Sequence, residues 1–161
     1  MAKTTLTTAD ELLHMQLRTA LTMEADSLAA LGVLGSAAKS ADIKKMFKHH
    51  ADETKEQIDN LHKIFELLEL KVSPAPSPST KGISKQAESL INMSAPALRD
   101  QVVLSSALGN EHFEIACYSS LIIPVKAMDA SDVLALLMYN LDQEVHTSEE
   151  LKTVLEERLG S

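Results

Sequence analysis

Tryptophan is absent from this chain, phenylalanine and tyrosine number three and two, and glycine and proline are only five each. That scarcity leaves strands little to work with, whereas Ala, Leu, Glu and Lys dominate and suit long helices. A single cysteine, Cys117, excludes an intramolecular disulfide and fits a reducing compartment. No apolar run reaches membrane-spanning length, so no membrane partner is expected. No basic region followed by an apolar stretch and a cleavage site opens the chain, and the expected location is the cytoplasm. A concentrated basic face is lacking too. The formal net charge is −8, and the lysine cluster Lys44, Lys45 and Lys48 is short and followed by acids, which argues against nucleic acid as a partner.

What the 161 residues do hold is 45% hydrophobic side chains, enough for one domain over 1–161 with a sizeable core. The pattern reads as all-α. A first helix runs from about Ala9 to Leu34, opened by a capping-box pattern of Thr8 and Glu11 and closed by Gly35. Its stripe is Leu13, Leu17, Ala20 or Leu21, Glu24, Leu28 and Leu31. A second helix follows Ser40 to about Leu70 with Ile43, Phe47, His50, Thr54, Ile58, Leu61, Phe65 and Leu68 inward, and Glu53 and Gln57 beside that seam. The segment VSPAPSPSTKG that ends at Gly82 is a Pro/Ser-rich linker, placed at 71–82. A short amphipathic piece over Ile83 to Met93 precedes a third long helix from Pro96 to about Ile123, which Pro124 should kink or end. The fourth runs from near Ser131 to about Leu159 with Val133, Leu137, Asn140 or Leu141, Glu144, Thr147 or Ser148, Leu151 and Val154 on its seam. Short links within each pair and one long middle connection predict a ferritin-like four-helix bundle whose crossover carries a short extra helix.

Glu24, Glu53, Glu111 and Glu144 each interrupt the apolar pattern of a different long helix. A lone buried carboxylate is prohibitive, so such residues are exposed, neutralised by a proton or partner, or bound to metal. Four on four helices favour metal. Iron and manganese accept carboxylate oxygen, and four carboxylates balance two divalent ions. Glu114 lies three residues after Glu111 on the same face and adds a fifth acid. The histidine one turn after the glutamate, usual on two helices of diiron sites, is missing: Glu56 and Gln57 follow Glu53, and Thr147 and Ser148 follow Glu144. His50, three residues before Glu53, reads as a satisfied core histidine ahead of a ligand, or a hydrogen-bond partner of one. Gln57 and Tyr118 are further candidates for that supporting role, Tyr118 equally readable as a buried tyrosine satisfied by a neighbour. Cys117 is read as an inert small hydrophobe.

The stretch EHFEIACY (Glu111 to Tyr118) and the run HADETKEQI (His50 to Ile58) resemble the YciE/YciF-type ferritin-like proteins, bacterial stress-associated polypeptides of this length. The likeness covers nearly the whole chain, and the third-helix motif is its most specific part. Carried over by it are Glu24 in TMEAD, Glu53 and Gln57 in DETKEQ, Glu111 and Glu114 in NEHFE, and Glu144 in DQEVHT. The glutamate pattern is more distantly similar to that of rubrerythrin-type diiron proteins. Two departures stand out. The family's aspartate four residues after the fourth-helix glutamate is Ser148 here, and GISKQAESL replaces its cysteine-containing crossover motif. The resemblance implies two divalent metal ions, iron ahead of manganese, reacting with oxygen or peroxide in a stress response, and a homodimer. A ferroxidase- or peroxidase-like activity is the enzyme class in view. The alternatives are a structural or interaction bundle with a decayed site, prompted by Ser148 and the missing histidines, and an iron store, which would need a many-subunit shell.

Overall fold

The protein is described by a computed structural model over residues 5–160. Five helices and one 3-10 turn follow in order: α1 (Ala9–Ala37), α2 (Ala41–Leu67), α3 (Pro78–Met93), the 3-10 turn Pro96–Leu98, α4 (Arg99–Val125) and α5 (Ser131–Leu159). The four long helices carry apolar residues at three- and four-residue spacing and bury that stripe against one another. The capping box that opens α1 forms as the sequence predicts: Thr8 accepts from the Glu11 backbone N–H while the Glu11 carboxylate accepts from the Thr8 N–H at 3.1 Å.

Topology follows from which end of each helix enters which apolar cluster. Leu13 and Leu17 of α1 pack with Leu61 and Phe65 of α2, Leu121 and Val125 of α4, and Val133 and Leu137 of α5. Leu31 and Leu34 pack at the other end with Phe47, Leu104 and Leu151. Helices α1 and α2 are therefore antiparallel, as are α4 and α5, and the path from α2 to α4 spans the bundle. This is the expected ferritin-like architecture with one long crossover. Along that path the Ala75 N–H donates to the Arg18 carbonyl at 3.0 Å, and the Arg18 guanidinium donates to the Pro74 carbonyl at 3.2 Å. Helix α3 then lies on α1 and α4, burying Ala87 and Ile91 against the second cluster.

Four boundaries differ from the sequence reading, the first being α2, which ends at Leu67 and not near Leu70. Gly35 has no positive φ and does not cap α1, which continues to Ala37 and ends where the Ala38 N–H bonds the Leu34 carbonyl. The expected linker to residue 82 stops at Ser77, because Pro78 occupies the first turn of α3, where a missing N–H costs nothing. Pro96 opens a 3-10 turn instead of the helix itself. At the far end Pro124 lies in the last turn of α4, which closes one residue later. Aspartate 100, near the start of α4, accepts from the Lys39 N–H at 2.6 Å and from the Ser40 hydroxyl and N–H, tying α4 to the turn between α1 and α2.

Helix α2 ends in a Schellman turn: the Leu70 N–H bonds the Phe65 carbonyl at 2.9 Å and the Glu69 N–H bonds the Glu66 carbonyl at 3.0 Å. The left-handed position of this turn, φ 54°, is filled by Glu69, whose Cβ is unfavourable there. Glu69→Gly is expected to raise unfolding free energy by about 0.5–1 kcal/mol in urea titrations, the reverse of the usual glycine effect in a helix.

Candidate metal centre

Between the two apolar clusters lies a polar layer, and the leucines on either side force it inward. On α5, Glu144 stands seven residues after Leu137 and seven before Leu151, both fully buried, so a regular helix must bury it too. Glu111 has the same relation to Leu104 and Tyr118, and Glu24 lies seven residues after Leu17 and seven before Leu31. The result is four acids withdrawn from water: Glu24 is 0% exposed, and Glu111, Glu114 and Glu144 are nearly so.

Carboxylate oxygens of Glu24, Glu114 and Glu144 all lie within 4.8 Å of one another, joining α1, α4 and α5. Glu111 adjoins this group, close enough that its charge, after burial, helps to raise the Glu144 carboxyl. Each of the four also has one buried oxygen with no hydrogen-bond partner: Glu24 Oε2, Glu111 Oε2, Glu114 Oε1 and Glu144 Oε1. Burial pushes the Glu24 carboxyl up to about 8, with the Tyr118 hydrogen bond acting the other way. Glu111, Glu114 and Glu144 are raised well above the ordinary carboxylate range, first by burial and then by the neighbouring acids. Bare oxygens of this kind fit a hard cation, which would satisfy them and offset the repulsion together. The donor set is all carboxylate, without a histidine or thiolate.

Neutral donors reach two of the four acids, Glu24 and Glu114. The Tyr118 hydroxyl donates to Glu24 Oε1 and accepts from Asn140 Nδ2 at 3.0 Å. Asn140 Nδ2 also reaches the Gln57 backbone carbonyl at 3.2 Å, and Asn60 Nδ2 donates to Asn140 Oδ1 at 2.8 Å. Ser27 and Asn110 hydrogen-bond Glu114, with Asn110 Nδ2 donating to Ser27 Oγ at 3.0 Å. Of these, Ser27, Asn60 and Asn110 are absent from the sequence reading, and Asn140 enters it only as one of two candidates for the seam. The signal was available: Ser27 lies three residues after Glu24, Asn110 four before Glu114, and Asn140 four before Glu144, one turn away on the same face.

Two expected participants are placed elsewhere. His50 is outside the close carboxylate group; its Nε2 lies 3.0 Å from Glu150 Oε2, because one turn toward the start of α2 brings it level with a later turn of α5, and its buried Nδ1 has no hydrogen-bond partner. Glu53 stands at the rim with its side chain 20% exposed and Oε1 3.5 Å from His49 Nε2, so the close group draws on three helices instead of four. Gln57 contributes its carbonyl to Asn140, and the Ser148 hydroxyl turns back on the Val145 carbonyl at 2.8 Å.

Comparison with known proteins gives the chain relatives in sequence and in fold. A family model described as a domain of unknown function, DUF892, matches residues 8–160. Protein YciF of Escherichia coli K12 is 26% identical over 120 residues, covering 73% of this chain and 72% of YciF. Among solved structures, YcfI of Rhodopseudomonas palustris, a candidate structural protein, superposes with a TM-score of 0.89 at 27% identity over 95% of this chain and 98% of its own. The E. coli stress protein YciF has the same fold, with a TM-score of 0.91 at 22% identity over 97% and 99% of the two chains.

Two outcomes follow for metal-free protein. Tyr118→Phe leaves Glu24 Oε1 without its donor and should lower stability by about 1–3 kcal/mol in urea unfolding. Glu24 has a folded pKa of about 8 against an ordinary 4.5, so its contribution is complete below 4.5 and is lost as pH rises through 8. Melting temperature should fall across that window, and Glu24→Gln should flatten the fall.

Proposed function

The chain belongs to the DUF892 family, the YciE/YciF type, and within it we propose that this protein is a ferritin-like metal protein acting on oxygen or peroxide. On this reading Glu24, Glu111, Glu114 and Glu144 hold two divalent ions, iron before manganese. The observation that carries it is the set of four unpartnered, buried carboxylate oxygens, one on each of these acids. Four like charges in an apolar interior oppose folding unless protons or cations neutralise them, and two divalent ions match four carboxylates.

When bound, such ions supply Lewis acidity and one-electron redox chemistry toward oxygen or peroxide. The residues of this chain do the rest. Tyr118 holds one oxygen of Glu24 and leaves the other free, while Ser27 and Asn110 hold Glu114. The two apolar clusters above and below the layer keep bulk water away. A stress context is supported by the description of YciF as a stress protein. A cytoplasmic homodimer is the assembly that accompanies this reading.

A second reading has its own support: a structural bundle whose site has decayed. The Ser148 hydroxyl is spent on its own helix, and YcfI carries a candidate structural role. Metal analysis after purification without chelator and loading with Fe2+ or Mn2+ separates the two. The metal reading expects close to two equivalents per chain, and fewer than about 0.3 would remove it. Loading at a hundredfold excess over Kd should add about 2.7 kcal/mol for each ion bound, roughly 5–10 °C in melting temperature per ion, and Glu114→Ala should abolish the gain. A decayed site instead predicts no metal-dependent shift, with Glu111→Leu as stable as the parent or more so.

A further inference from the structure

The four acids are sealed on three sides. Apolar clusters close both ends of the bundle. On the α1 and α4 face, Ile83, Ser84 and Ala87 of α3 cover Ser27, Asn110 and Glu111, leaving a space of only about 10 Å³. A little farther along that face, the cavity of about 180 Å³ lined by Met15, Met23, Phe113 and Cys117 is apolar, and its hydroxyl groups on Thr19 and Ser120 bond their own helix carbonyls. Gln16 and Ser77 also line it, but no carboxylate or imidazole does.

The face between α2 and α5 differs. Glu53 is half-buried, and its charge acts on both Glu111 and Glu144 inside. Its Oε1 is 3.5 Å from Nε2 of His49, whose side chain is 68% exposed. Beside it the carboxylate of Glu56 accepts from Tyr139 at 3.1 Å and from Gln143 Nε2 at 3.2 Å. Gln143 Oε1 is itself buried without a partner. Glu53 thus has exposed His49 on its solvent side and acts through its charge on Glu111 and Glu144, whose unpartnered oxygens are buried.

We propose that His49 and Glu53 form an outer cation site on the α2 and α5 face, through which divalent transition-metal ions pass to the buried carboxylates. An imidazole and a carboxylate one helical turn apart suit such ions and are too few to retain them. Glu53 is on this view a transfer residue and not a resident ligand. The proposal rests on the buried acids binding metal, so the test separates rate from capacity.

Metal-free protein is mixed with Co2+ in a stopped flow and followed by its visible ligand-field absorption, with final content measured after dialysis. Glu53→Gln should slow loading about tenfold, the scale on which a charged cleft focuses its ion, with His49→Ala slower by a smaller factor. Final stoichiometry should match the parent in both. Met15→Lys, at the apolar cavity on the opposite face, should leave the rate unchanged. Parent-like rates in Glu53→Gln and His49→Ala would overturn the proposal, as would slowing by Met15→Lys alone. Loss of one equivalent in Glu53→Gln would overturn it differently, making Glu53 a resident ligand. Failure of the parent to bind Co2+ would remove the metal reading and this route with it.

Discussion

Withdrawal of four carboxylates from water is the constraint around which this bundle is arranged. Each ionised group loses hydration worth several kcal/mol even after relaxation, and each raises the cost of the next. The apolar stripes of α1, α4 and α5 nonetheless bury these acids between two leucine-rich clusters. Burial of the leucines therefore sustains a layer that would otherwise turn toward solvent. The neutral donors Tyr118, Asn110 and Ser27 satisfy part of it and leave one oxygen of each acid bare.

That division of labour gives the layer a direction. Donors hold Glu24 and Glu114 from within, while on the α2 and α5 face the chain offers Glu53, Glu56 and His49 toward solvent. The crossover contributes by covering the opposite face: α3 is fastened by the Thr80 hydroxyl donating to Asp26 at 2.7 Å and by Ala87 and Ile91 in the second cluster. One face is thus closed by apolar packing and the other edged with ligand-type side chains.

Much of this was legible in the sequence because helical periodicity is rigid. Leu137 and Leu151 fix the facing of Glu144, and Leu104 and Tyr118 that of Glu111, so both follow from counting. The crossover was legible from its prolines, although Pro78 was misread as linker, since proline serves equally to break a helix and to begin one. Glu53 was harder. It lies one residue before the buried Thr54, where a rotation of about 100° separates core from rim, and periodicity alone does not decide which way a long carboxylate leans. Partners were least legible: nothing local pairs His50 with Glu150 or Asn140 with Tyr118, contacts that arise only when α2, α4 and α5 are packed.

Anomalous scattering from a crystal of protein purified without chelator, recorded on both sides of the iron and manganese absorption edges, tests the central claim most directly. The account predicts two anomalous peaks enclosed by Glu24, Glu111, Glu114 and Glu144, with the element named by the edge at which they vanish. A density map with no anomalous signal, and these carboxyl groups bonded to one another through shared protons, would contradict it.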